Sequence, residues 1–252
     1  MNLIECKEIS PRVPRFSEVA LAATFAQNRH LDGSVKKIDL GSLIYEAQLL
    51  RNFTVNDPEK REASKLILIT NNMEIPGGNN KVVIERETRL GDALAVPWSL
   101  EMLAVEAFRA RRSLSKKQRQ DKFVVTSLHT HYVESPPSPG DLTHILVDDI
   151  EDPKAETCCF VAGPDFNYLV FRSSQTPQVG KYECPELKDA LSMSWLEKKQ
   201  GLKKLKGARP EEEISQLEAD LRQEFFNGII RDYGLIVFTG RADSRVVSRV
   251  TG

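Results

Sequence analysis

Nowhere does the chain hold an apolar run approaching the roughly 20 residues that a bilayer-spanning helix needs, so no membrane span is expected. It also lacks an excess of either charge: 35 lysines and arginines face 36 aspartates and glutamates, for a net charge of -1. That balance gives no global pull toward nucleic acid or an anionic membrane surface. Cysteine is scarce. Cys6, Cys158, Cys159 and Cys184 are the whole set, and no pair has the C-x-x-C spacing of a cysteine-ligated zinc site. Neighbours in a strand point to opposite faces, so adjacent Cys158 and Cys159 are not expected to bond to each other. A reducing cytoplasm is the expected compartment, and the N-terminal MNLIECKEIS carries no signal-peptide pattern. Internal repeats and low-complexity tracts are missing as well.

At 252 residues with 40% hydrophobic side chains, the chain suits one large domain, or one domain with an elaboration. Residues 19–25 read as a small-residue helix, and from Ile38 to Leu50 the residues Leu40, Leu43, Ile44, Ala47 and Leu50 recur at approximate helical spacing. Residues 65–70 are the most apolar β-like run of the N-terminal half, and 81–87 alternate like a half-exposed strand. Asn71-Asn72 and residues 76–80 mark turns. Pro97-Trp98-Ser99 opens a helix with Leu100, Leu103, Ala104, Ala107 and Phe108 in one stripe. The basic run over 109–122 reads as a solvated helix end, since no interleaved aromatics support base stacking. Acidic residues crowd 148–152 and read as a solvated loop. Two strands, 157–162 and 168–172, flank Gly163-Pro164-Asp165 as a hairpin. Helices follow over 186–206 and from Glu211, with stripes at Leu187, Ala190, Leu191 and Trp195 and at Ile214, Leu217, Leu221 and Phe225. Residues 233–239 and 245–250 close the chain as strands. The fold class is α/β, of the α+β type.

Histidine is as scarce as cysteine, yet two of the four fall in His129-Thr130-His131. They stand at the end of 123–128, a short β-branched run that reads as a buried strand. Residues two apart on extended backbone share a face, so both imidazoles can turn toward one point. Asp141 then opens a helix over 142–147. Two ring nitrogens and a carboxylate oxygen suit zinc, and they leave a fourth position for water, as catalytic zinc sites do. Ser138-Pro139-Gly140-Asp141 also has a purely structural account, with serine at the N-cap, proline at the first helical position and an acid in the first turn. The two readings are compatible, because a helix start is a rigid mount for a ligand.

The succession of strand, H-x-H, proline-rich turn and S-x-x-D resembles the JAMM motif of the JAB/MPN-type zinc metalloproteases. It is closest in pattern to prokaryotic JAB and RadC-like proteins. The matching positions are His129, His131, Ser138 and Asp141. The resemblance implies zinc on His129, His131 and Asp141, with Ser138 stabilising the tetrahedral intermediate. It also implies a glutamate just ahead of an upstream strand as general base. Arg61-Glu62 precedes the 65–70 run, which makes Glu62 the candidate, with Glu59 and Glu46 as rivals. Two departures stand out. Tyr132 follows the second histidine where the family commonly has proline. The six residues from Tyr132 to Pro137 are one fewer than the family places before the serine.

The implied architecture is a JAB/MPN-like mixed sheet flanked by helices: a catalytic core over 1–180, a helical-hairpin insertion over 181–232, and closing strands over 233–252 that return to the core sheet. The implied activity is that of a deubiquitinase-like zinc isopeptidase. It would carry one zinc per chain and cleave after the C-terminal glycine of a ubiquitin or ubiquitin-like conjugate or precursor. The helices of 186–231 leave docking on the core, pairing with a second copy and contact with another partner open. Two further classes remain: a metal-free MPN-like scaffold that binds a protein, and a RadC-like protein associated with DNA, for which the basic run at 109–122 is the only support.

Overall fold

The computed structural model describes residues 12–25, 31, 33–70, 81–84, 89–90, 123–146, 155–177, 179, 184–204 and 209–250. The expected helix with the Leu100–Phe108 stripe, the basic run over 109–122, the turns over 71–80, the acidic loop over 148–152 and Cys6 lie outside the described residues.

The apolar run at Phe123 becomes strand β5, Phe123–Thr130, and the chain is laid out around it. Before it come α1 (Phe16–Phe25), β1 (Lys37–Asp39), α2 (Leu43–Asn56), β2 (Ala63–Thr70), β3 (Lys81–Ile84) and β4 (Arg89–Leu90). After it come α3 (Pro139–Leu146), β6 (Ala155–Ala162), β7 (Phe166–Phe171), α4 (Cys184–Lys203), α5 (Glu211–Asp232), β8 (Ile236–Arg241) and β9 (Val246–Arg249). The strands form one mixed nine-stranded sheet in the order β1-β9-β8-β7-β6-β5-β2-β3, with β4 beside the first residues of β2. All pairings are antiparallel except β5 with β6. Parallel neighbours need a crossover, and α3 lies in that connection.

Side-chain alternation along the strands divides the interior into two cores, one on each face of the sheet. On one face Ile38, Ile67, Leu128, Phe160, Phe171 and Phe238 pack beneath α1 and α2. Phe16 of α1 meets Phe160 at 6.4 Å between ring centroids. On the other face Cys159, Val161, Val170 and Val237 pack beneath α3, α4 and α5. Cys158 and Cys159 are both free and buried, and they belong to opposite cores, as neighbours in a strand must.

The helices α4 and α5 dock on this second face. Trp195 stacks on Phe225 at 5.4 Å, and Phe226 meets Tyr168 of β7 edge-on at 6.3 Å. Leu191 and Ile214 are buried, as the stripes require, whereas Ala190 is exposed. α5 ends at Gly234, whose φ of +59° suits glycine. A Cβ there would stand 2.8 Å from that of Gln175, so the chain reverses tightly into β8. β8 pairs with β7, and β9 bridges β8 to β1.

Candidate metal centre

The centre forms where β5 ends and α3 begins. On β5, Leu128 and Thr130 face the α1–α2 side, and Thr130 Oγ1 lies 2.6 Å from Thr54 Oγ1 of α2. His129 therefore faces the other way, toward α3. His131, just past the strand, keeps the same sense, and its N–H donates to the Ala162 carbonyl at 3.3 Å. The two rings stand 5.3 Å apart, tilted by 51°.

Asp141 reaches the pair from the first turn of α3. The Ser138 N–H donates to Asp141 Oδ2 at 2.6 Å, and the Asp141 N–H donates to Ser138 Oγ at 3.3 Å. This reciprocal pair is a capping box, so helix capping and ligand placement are one arrangement. Oδ1 lies 3.1 Å from His129 Nε2, and Oδ2 lies 3.3 Å from His131 Nε2. All three side chains are buried, at 2%, 7% and 5% exposure, which no water-facing charged cluster would be. Burial alone would push the Asp141 carboxyl up, but the two imidazoles outweigh it and hold the group well below the ordinary carboxylate range. Burial likewise works to lower His131, yet Asp141 and the charge of Glu62 leave it raised.

These residues could hold a metal ion, and the geometry fits one. The three ligand atoms lie within 4.8 Å of one another. Ligands about 2.0–2.1 Å from a tetrahedral zinc stand about 3.3–3.4 Å apart, close to the two nitrogen–oxygen distances. His129 Nε2 is buried and makes no hydrogen bond, approaching Asp141 Oδ1 at 3.1 Å. Orphaned buried nitrogens are costly, and a cation between ring and carboxylate would satisfy this one. On the far side of His131, Nδ1 lies 2.9 Å from Ser135 Oγ and 3.3 Å from the Ser135 carbonyl. A carbonyl only accepts, so it favours the proton on Nδ1 and frees Nε2 for a metal.

Glu62 arrives from β2. Asp57 ends α2 in extended backbone, as the residue before a proline must. Its carboxylate accepts the Arg61 N–H at 2.8 Å and pairs with the guanidinium, which holds the Asp57 carboxyl below its ordinary value. That turn delivers Glu62 to the strand. Ser64 pairs with His129; continuing the register, Glu62 falls opposite His131, on the face that carries both imidazoles. Glu62 is half-buried. Its rivals sit elsewhere. Glu46 bonds Lys65 at 2.9 Å on the α2 side of the sheet, and Glu59 is exposed and pairs with Arg61. Ser138 is exposed at the rim, with its hydroxyl accepting from Asp141.

Sequence reasoning missed Ser135, Glu134 and Arg51. Glu134 accepts the N–H groups of Asp165 and Phe166 and the Tyr168 hydroxyl; burial and this carboxylate push Tyr168 up. Arg51 of α2 bonds the carbonyls of Gly163 and Ala242 and the side chain of Asn167. These contacts span 31 to 191 residues and have no periodic signature. Comparison with family models, with curated proteins and with solved structures finds no match for the chain.

Proposed function

We propose that the protein is a zinc-dependent amide hydrolase acting as an isopeptidase or peptidase. The observation that carries the reading is the buried His129, His131 and Asp141 triad, with His129 Nε2 aimed at the Asp141 carboxylate and making no hydrogen bond. Zinc in such a centre supplies a Lewis acid and lowers the pKa of water at its open position from 15.7 to about 7. Glu62, beside His131, accepts the proton of the water that attacks the carbonyl carbon. It then returns that proton to the amine as the carbon–nitrogen bond breaks. The Ser138 hydroxyl uses its lone pairs on the helix cap, so its proton can go to the carbonyl oxygen as that atom gains charge. The JAMM resemblance supplies the substrate class, a bond after the C-terminal glycine of a ubiquitin or ubiquitin-like protein. Two buried free thiols suit a reducing cytoplasm.

The first experiment is zinc per chain, with cleavage of ubiquitin-like fusions as the second readout. Wild type is expected to hold about one equivalent, and the His129→Ala/His131→Ala variant close to none. Glu62→Gln should keep the metal and lose roughly 10²- to 10⁴-fold in turnover. A wild type that stays empty after reconstitution with zinc would leave the protein-binding scaffold as the reading.

A further inference from the structure

The six residues from Tyr132 to Pro137 carry the chain from His131 to the cap of α3. Their backbone makes no backbone–backbone hydrogen bond to any described residue. Side chains hold this loop instead. Lys60 lies over the Tyr132 ring, 4.7 Å from its centroid, and Ser135 bonds the His131 ring. Glu134 reaches furthest. Oε2 accepts from the Asp165 N–H at 2.7 Å and the Phe166 N–H at 3.3 Å, while Oε1 accepts from the Tyr168 hydroxyl at 3.2 Å. The carboxylate thus sits inside the β6–β7 turn, and Gly163 is what admits it. A Cβ on Gly163 would lie 2.9 Å from Oε2 and 3.0 Å from Oε1. From the other side, Arg51 Nε donates to the Gly163 carbonyl at 2.6 Å and fixes the turn against α2.

We infer that Glu134, admitted by Gly163, is the positioning residue of the metal centre. It sets the path of the 132–137 loop, so that His131, its Ser135 partner and Asp141 converge. The inference rests on the zinc reading of that centre. A turn clamp without this role would stabilise the hairpin and leave the ligands where they are.

The test uses the full chain, with zinc affinity measured against a competing chelator and amide exchange measured on metal-free protein. Glu134→Ala should weaken zinc binding about 10- to 100-fold, as loss of a group that orients a ligand does. It should also speed exchange at the His131 amide, which donates to the Ala162 carbonyl. Glu134→Gln keeps an acceptor oxygen for the two N–H groups and should recover much of the affinity. Gly163→Ala should resemble Glu134→Ala alone. In the Glu134→Ala background it should add little, because the clash with Glu134 has gone. Zinc affinity within about twofold of wild type in Glu134→Ala would overturn the inference, whatever the melting temperature does. If wild type itself takes no zinc, the metal reading fails separately, and exchange still decides. Unchanged protection of the His131 amide in Glu134→Ala would sink the positioning role.

Discussion

At the scale of single residues, Ser138 holds two roles that a substitution can separate. Its hydroxyl caps α3 and stands at the rim of the centre. Replacing an N-cap serine by alanine costs about 0.5–2 kcal/mol, but glycine only a few tenths. Ser138→Gly should therefore leave the melting curve almost unmoved. Should the hydroxyl stabilise developing charge, turnover falls roughly 10²- to 10³-fold with zinc content unchanged. A variant with both stability and turnover intact would confine Ser138 to the cap. The ligand types and their spacing were legible in the sequence because His129, His131 and Asp141 lie close in the chain and obey strand and helix geometry. Glu62 became a candidate only through the resemblance, since a glutamate ahead of a strand has no signature of its own. Glu134 and Ser135 were not found at all. A side chain that works by reaching a turn some 30 residues away leaves no local pattern.

At the scale of elements, β1 is a short join, three residues at the sheet edge that pair with β9. Arg245, just before β9, grips the Asp39 carboxylate with two nitrogens, at 2.6 and 2.8 Å. This hydrogen bond chiefly holds the Asp39 carboxyl below its ordinary value, against partial burial. A carboxylate depressed in the native state adds stability that is complete above its unfolded pKa, about 3.9, and is lost as the pH falls through the native value. Arg245→Gln should thus be less stable than wild type at neutral pH, by a small margin given the exposed guanidinium. The gap should close below about pH 4. Denaturant titrations at pH 7 and pH 3 read this directly, and a gap that widens in acid would refute it. The sequence did not disclose β1, because three residues with one buried side chain carry no periodicity. By contrast β5, α3 and the β6–β7 hairpin were legible, since each has a full apolar run or a turn signal. The end of the predicted strand over 81–87 lies outside the described residues.

At the scale of the molecule, the His129, His131 and Asp141 group, which could hold a metal ion, joins β5 of the sheet to α3 of one covering layer. Zinc bound only by the folded chain adds about 2.7 kcal/mol at a hundred times its dissociation constant. For a chain of this size that should raise the melting temperature by about 5–10 °C. Scanning fluorimetry with and without zinc measures the shift, and the His129→Ala/His131→Ala variant should show none. The sheet order has a consequence for how the chain is made. Lys37 pairs with Ser248, so β1 leaves the ribosome long before its partner strand exists. At about 5–20 residues per second that wait lasts roughly 10–40 seconds. Through that interval the row β5-β6-β7 can pair within itself, while the edge of β7 that β8 will cover stands open. A nascent chain is therefore most exposed to wrong partners just before β8 and β9 arrive, and those strands act as the latch that closes β1 into the sheet.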